Sequence, residues 1–376
     1  MPDKGANFEY QSPLGSILLR RYPSRKNELL QAWTSADTLL LHEYLNLGAL
    51  PQWSLVVNDE HGALSVAVEP AACWTDSWLS SKAIADNLTL NNRAPVPVLW
   101  STQTPPSSIQ TVLLRVPKQL SYFEYQLAKL SQILPEGATL LAAGMDKHLS
   151  PHTAEIIETY IGPTKRHRGQ SRARLFSAIN KSETAANCAT QFKYHCGELE
   201  AELSSLPNVF SGQSLDMGTR FLFDYLPQLK PAETLVDLAC GNGVIGLVAG
   251  KLGISRHGIF CDESAMAVES ARLNLKACPD TGLEEVTFLH GDGLLALTQA
   301  PELILCNPPF HLQHTVDEFA GVRLLQQCAH ALPTGGRLCL VANRHLNYLE
   351  PLRRQFKQVE MAAENRKFRI YLATQN

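Results

Sequence analysis

The two halves of the chain repeat one another. Laid without a gap over PAETLVDLACGNGVIGLV (231–248), the stretch PQWSLVVNDEHGALSVAV (51–68) sets Pro51 on Pro231 and Leu55-Val56 on Leu235-Val236. Each stretch reads as strand, turn and apolar helix. Further along, TVLLRVPK (111–118) parallels PELILCNPP (301–309), an apolar strand ending in a proline turn. ILPEGATLLAAGMDKH (133–148) likewise parallels ALPTGGRLCLVANRH (331–345). The matches are collinear, which predicts two tandem doubly wound α/β domains derived by duplication. KRHRGQSRARLFSAI (165–179) predicts a basic hairpin closing the first, and the small, polar SETAANCAT (182–190) a link. The expected domains are 1–185 and 190–376.

The halves differ where chemistry would sit. In the gapless pairing His61 answers Gly241 and Ala63 answers Gly243, while Val116-Pro117-Lys118 answers Asn307-Pro308-Pro309. A side chain on a loop glycine obstructs close backbone approach to a ligand. The C-terminal half is therefore expected to be active and the N-terminal half a degenerate copy that binds no cofactor, kept to position a substrate or support folding.

Composition narrows the classes further. Hydrophobic residues make up 45% and charged residues 18%, enough for sizeable cores and against wholesale disorder. A net charge of -3 argues against a globally basic binder. Cations nonetheless cluster at Arg20, Arg21, Arg25 and Lys26, across 165–174, and at Arg353, Arg354 and Lys357. Nine cysteines without a C-x-x-C pair read as reduced thiols of a cytoplasmic protein, and zinc is not expected. No apolar leader or membrane span is read from the sequence.

VDLACGNGVIG (236–246) contains G-x-G-x-x-G at Gly241, Gly243 and Gly246, between a strand and a helix. The following strand, GIFCDES (258–264), ends in Asp262, about 20 residues past Gly241, where nucleoside-binding folds place an acid on ribose hydroxyls. Two features turn the reading from a dinucleotide. Asp237 stands at the strand end, where a carboxylate aimed at the ligand suits an ammonium group and repels a pyrophosphate; its alternative use is to bind the loop's own amides. The second is LILCNPPFH (303–311), a strand ejected from the sheet at Asn307-Pro308-Pro309-Phe310.

Together these residues resemble the S-adenosylmethionine-dependent methyltransferases that act on exocyclic or amide nitrogens. NVFSGQSLDMGTRFLFDYLP (208–227), CDESAMAVESARLN (261–274), CNPPFHLQH (306–314), VANRHLNY (341–348) and NRKFRIYLA (365–373) narrow the likeness to the bacterial ribosomal RNA guanine-N2 methyltransferases. LLRRYP (18–23), LQAWTSAD (30–37) and LVVNDEHGALS (55–65) extend it through the first half and favour the large-subunit branch over the small-subunit one. The resemblance covers nearly the whole chain.

That likeness implies a seven-stranded methyltransferase sheet in the second half, closed by an antiparallel pair from 358–364 and 368–374. It implies that Asp237 and the loop residues Ala239, Cys240, Gly241, Asn242 and Gly243 hold the amino-acid end of S-adenosyl-L-methionine. Asp262 takes the ribose, with Glu263 beside it or capping the next helix; Asp292, followed by Gly293, faces the adenine. Asn307, which is also counted among the cofactor-binding residues, and Pro308 accept hydrogen bonds from the target amino group, and Pro309 and Phe310 complete the motif, the ring stacking on the base. Arg166, Arg168, Arg172, Arg344 and His345 are candidate contacts to ribosomal RNA, 23S by the branch. A monomer without metal is expected. Small-subunit RNA, a protein glutamine (whose enzymes carry NPPY) and a non-catalytic RNA-binding role are the alternatives.

Overall fold

In the computed structural model, residues 8–181, 187–308 and 315–375 are described. The chain divides into two compact units, 1–190 and 191–376. The first opens with a hairpin, β1 (Glu9–Ser12) and β2 (Gly15–Leu18), followed by α1 (Ser35–Leu47). Then come β3 (Ser54–Val57), α2 (Ala63–Val68), β4 (Ala72–Thr75), α3 (Trp78–Leu90) and β5 (Val98–Trp100). The chain returns through β6 (Thr111–Arg115), α4 (Leu120–Ile133), β7 (Thr139–Met145) and α5 (Thr153–Tyr160) to the hairpin β8 (Thr164–Arg166) and β9 (Ala173–Ile179). The sheet order is β5-β4-β3-β6-β7-β9-β8.

The second unit repeats this order. A hairpin, β10 (Phe192–Cys196) and β11 (Ala201–Ser205), leads into α6 (Met217–Tyr225). β12 (Thr234–Leu238), α7 (Val244–Lys251), β13 (His257–Asp262), α8 (Ala265–Ala277) and β14 (Glu285–His290) build one side. β15 (Leu303–Cys306), α9 (Thr315–Ala331), β16 (Arg337–Asn343) and α10 (Leu349–Gln355) build the other, with β17 (Gln358–Glu364) and β18 (Phe368–Thr374) last. The order is β14-β13-β12-β15-β16-β18-β17, five parallel strands and then the antiparallel pair expected from 358–374.

Central strands in such a sheet are covered on both faces and lose the polar alternation of half-exposed strands. β12 (TLVDL) and β15 (LILC) are buried at every position. Leu235 enters the layer with Leu222, Leu247 and Phe260, whereas Val236 enters the layer with Ile259, Ile304 and Leu340. Burying each such side chain contributes about 1.5–3 kcal/mol. The chain reverses its direction of strand addition between β12 and β15, leaving a crevice at their carboxyl ends. Asp237 stands at the end of β12 and Asn307 follows β15, so the fold itself brings the two sequence motifs together.

Candidate active site

The loop from β12 to α7 turns through three left-handed residues: Ala239 at φ 57°, Gly241 at φ 55° and Gly243 at φ 82°. A non-glycine residue in that region costs about 1–2 kcal/mol, so the surrounding structure must hold Ala239 there. The glycines of the G-x-G-x-x-G pattern serve different ends. A Cβ at Gly246 would meet the Phe260 ring at 2.5 Å, and one at Gly243 would meet Ala271 Cβ at 2.9 Å. Both are demanded by helix packing. At Gly241 the nearest atom would be Val209 Cγ1 at 3.9 Å, so this glycine alone faces open space.

The side chain of Asn242 donates to Tyr194 Oη (3.1 Å) and Ser205 Oγ (3.2 Å), and its own carbonyl accepts from Asn274 (2.9 Å). It ties the loop to β10, β11 and α8 rather than facing a ligand. Cys240 is buried, its amide donating to Cys261 O at 3.0 Å. Burial, with Asp262 and Asp237 close by, holds its thiol protonated. What Ala239, Cys240 and Asn242 offer a ligand is therefore backbone.

Asp237 is 1% exposed. Its Oδ2 accepts the Gly246 amide at 2.8 Å, while Oδ1 is buried with no hydrogen-bond partner. The reading in which this acid binds the loop's own amides accounts for one oxygen and leaves the other unengaged. Burial, reinforced by Asp262, pushes its pKa up to about 8. Desolvation disfavours the carboxylate until a positive partner arrives. Asp262 accepts Gly241 N through Oδ2 and Ser264 N through Oδ1, both at 2.9 Å, which aims its carboxylate at the loop. The cap of α8 is Ser264, accepting Ala267 N at 3.1 Å, and not Glu263, whose carbonyl bonds His290.

Asp292 is buried and held by both guanidinium nitrogens of Arg323 from α9. Gly293, at φ 55°, is fixed by packing, since a Cβ there would lie 2.0 Å from Gln327 Oε1. This acid is committed to α9 as much as to any ligand.

At the end of β15 the side-chain NH2 of Asn307 donates to Asp216 Oδ2 and Thr219 Oγ1, each at 2.9 Å. Asp216 is the N-cap of α6, accepting Thr219 N at 2.9 Å. A carboxylate only accepts, so the amide nitrogen must face Asp216 and the amide oxygen must point the other way. Among the described residues no donor engages that oxygen. Pro308 follows directly, whereas Pro309 and Phe310 lie outside the described residues. Sequence reasoning missed Asp216 and Thr219 as parts of the site. Their signal was there, an aspartate N-cap ahead of the apolar FLF.

The candidate RNA contacts fall in both units. In the first, Arg166, Arg172 and Arg174 line a cavity of about 570 Å³ at the β8–β9 hairpin. Arg166 is bonded to Glu155 and Arg174 to Asp146, whereas Arg168 and Arg172 are exposed and in no ion pair among the described residues. In the second, Arg344 and His345 follow β16, both exposed, with Arg344 3.8 Å from Glu364.

The first unit's counterpart of the loop corrects the gapless pairing. Gly62 (φ 88°, ψ 11°) caps α2 as Gly243 (φ 82°, ψ 5°) caps α7, so the glycine is retained and the loop is offset by one residue. Asp59 folds back on it, accepting Gly62 N (2.9 Å), Leu64 N (3.1 Å), Ser65 N (2.7 Å) and Ser65 Oγ (2.7 Å). Arg115, which pairs with Asp37, lines the space beside it. What is left between Arg21, Trp33, Asp59, His61 and Arg115 is about 20 Å³. That is room for about one water.

Among the described residues no three metal-ligating side chains converge, and no helix is long and apolar enough to cross a membrane. Residues 7–183 match the RLMG N-terminal domain family and residues 200–372 the methyltransferase small domain family. Ribosomal RNA large subunit methyltransferase G of Alcanivorax borkumensis is 37% identical over 377 residues, spanning 96% of each chain. Its counterpart from Ectopseudomonas mendocina is 39% identical over 373 residues, 97% of this chain and 99% of its own. The solved T. thermophilus 16S rRNA N2 G1207 methyltransferase (RsmC), in complex with AdoMet and guanosine, has a TM-score of 0.77 at 19% identity. It covers 98% of this chain and 97% of its own, a likeness of fold.

Proposed function

The chain belongs to the ribosomal RNA large subunit methyltransferase G family, and from that premise we propose that it methylates the exocyclic N2 of a guanine in 23S ribosomal RNA. The observation that carries the chemistry is the orientation of Asn307. A guanine amino group is a poor nucleophile because its lone pair is delocalised into the ring. Asn307 Oδ1, turned outward by Asp216 and Thr219, and the Pro308 carbonyl accept the two N–H bonds. Positive charge developing on the nitrogen is then met by oriented dipoles fixed before the reaction.

The residues fit S-adenosylmethionine. The orphaned Oδ1 of Asp237 is a buried acceptor that an ammonium group would satisfy, and the open face at Gly241 admits a ligand against the backbone. Asp262, fixed by the amides of Gly241 and Ser264, is the acid at the end of β13 for the ribose hydroxyls. When bound, the cofactor supplies an activated methyl group on a sulfonium. Asp237 and 239–243 hold its amino-acid end, Asp262 and Glu263 the ribose, Asp292 and Gly293 the adenine side. Asp292 reaches the adenine only if Arg323 shares it.

The matching strand orders of the two sheets support duplication, with the first unit a copy that lost its ligand space to Asp59 and Arg115. That unit positions RNA through Arg166, Arg168 and Arg172, and Arg344 and His345 contact RNA from the catalytic unit. The enzyme acts as a cytoplasmic monomer without metal.

The test is transfer of labelled methyl from S-adenosylmethionine to large- and small-subunit ribosomal RNA lacking the modification, followed by nucleoside analysis, with Asn307→Ala as control. N2-methylguanosine in large-subunit RNA alone, lost in the variant, is the expected result. Label in small-subunit RNA moves the substrate to the other subunit, and label only in protein glutamine overturns the RNA reading.

A further inference from the structure

Resting on the reading just given, we propose that the turn between β17 and β18 forms a phosphate-binding subsite for nucleotides flanking the target guanosine, with Arg366 and Lys367 as its principal cations. The sheet places it there. β16 runs parallel to β15, so Arg344 and His345 leave the sheet at the same carboxyl end as Asn307. β18 runs antiparallel to β16 and pairs Phe368 with Asn343, which returns Arg366 and Lys367 to that end as well. Together they line a cavity of about 530 Å³, within the range of about 300–1,000 Å³ that accommodates small ligands.

One wall of this cavity is shared with the catalytic amide. Met217 and Phe368 line it. A Cβ at Gly218 would meet Phe368 Cε1 at 3.2 Å on one side and Asp216 Oδ2 at 3.0 Å on the other. That same Oδ2 holds Asn307. A group bound at the turn is therefore separated from Asn307 by the first residues of α6, the scale of neighbouring nucleotides.

The charge of the cluster is unbalanced. Its ion pairs, from Arg344 (3.8 Å) and Arg369 (3.3 Å), converge on one carboxylate, Glu364. Arg366 and Lys367 are exposed and in no ion pair among the described residues. Guanidinium forks match phosphate oxygens bidentately and an ammonium adds a point charge. A base drawn out of its stack into a pocket needs its backbone held on at least one side, and this is where the fold supplies cations beside the pocket.

The experiment compares the full-length protein with Arg366→Gln/Lys367→Gln and with a control of equal charge change at the opposite end of the sheet, Arg256→Gln/Lys276→Gln. A large-subunit RNA fragment is titrated at several salt concentrations, and methyl transfer and S-adenosylmethionine binding are measured alongside. The site variant should bind RNA about ten-fold more weakly, with a log–log salt slope lower by about 1.4 for two lost single-strand contacts. KM for RNA should rise in step while kcat and cofactor binding stay within two-fold. The control should match wild type. RNA binding equal in site variant and wild type overturns the subsite whatever the methylation result. Wild-type RNA binding without methyl transfer overturns the proposed function instead and leaves the subsite standing if the salt slope falls.

Discussion

The first loops of the two sheets, 58–62 and 239–243, both start on a left-handed residue, Asn58 (φ 58°) and Ala239 (φ 57°), and end on a left-handed glycine cap. Each also offers a buried carboxylate to an amide of the following helix, Asp59 to Ser65 and Asp237 to Gly246. The difference lies in what the carboxylate has left. Asp59 is saturated by Gly62, Leu64 and Ser65, and the space it lines with Arg115 is about 20 Å³. Asp237, coming from the strand instead, keeps one oxygen buried and unpartnered, and Gly241 in the loop that follows faces open space. The helix cap is thus common to both scaffolds, and what differs is where one acid enters the loop.

The largest effects should separate the two units completely. Asn307→Ala removes a transition-state acceptor and should lower kcat by about 10²–10³-fold with S-adenosylmethionine affinity unchanged, as single-turnover assays and calorimetry would report. Val116, its counterpart, should tolerate substitution without loss of rate. In the first unit Asp37→Ala breaks the nearly buried pair with Arg115 and the capping box of α1. It should cost about 3 kcal/mol, since removing one partner of a buried pair leaves the other charge uncompensated. Denaturant unfolding would measure that cost; cofactor affinity should not move. A loss of cofactor binding in Asp37→Ala would mean that the first unit's packed site is not independent of the second's open one.

Much of this contrast was legible in the sequence, and the missing parts share a cause. The topology was readable because collinear strand–turn–helix matches repeat, and the basic hairpin β8–β9 and the closing pair β17–β18 stand where they were expected. The places of Asp237 and Asn307 at the ends of paired strands were readable because their motifs are local. The clamp on Asn307 was not, since Asp216 lies 91 residues away in the chain. Arg323 on Asp292 is 31 residues away and was missed for the same reason. The pairing of Ala63 with Gly243 failed differently: a gapless comparison cannot see that β3 is one residue shorter than β12, and only the helix caps reveal that Gly62 takes the glycine's place.

A pH series sharpens the comparison at Asp237. Its folded pKa of about 8 lies above the usual carboxylate value of about 3.9. The native state therefore binds more protons than the unfolded chain between about pH 4 and 8, and stability should fall as pH rises through that window. An ammonium partner favours the ionised form, so cofactor affinity should rise about ten-fold per pH unit from pH 6 towards 8. Asp237→Asn should flatten both dependences and bind the cofactor weakly throughout. A flat wild-type affinity would mean that the orphaned oxygen meets no positive group.

The smallest effect tests whether the first loop is only architecture. Gly62→Ala puts a side chain at φ 88°, with its Cβ 3.3 Å from the Ile84 backbone. Left-handed strain of this kind costs about 1–2 kcal/mol, and the contact asks α3 to give by a few tenths of an ångström. Thermal unfolding should register a loss of about 1 kcal/mol, with S-adenosylmethionine affinity and kcat unchanged. Gly241→Ala incurs a similar backbone strain, but its methyl projects into open space on the face of the loop proposed to take the cofactor, so it should also weaken cofactor binding. The pair isolates function from fold because the backbone penalty is common to both. If Gly62→Ala reduced cofactor affinity as Gly241→Ala does, the first loop would have to bind the ligand as well, and Asp59 could not be the group that closed it.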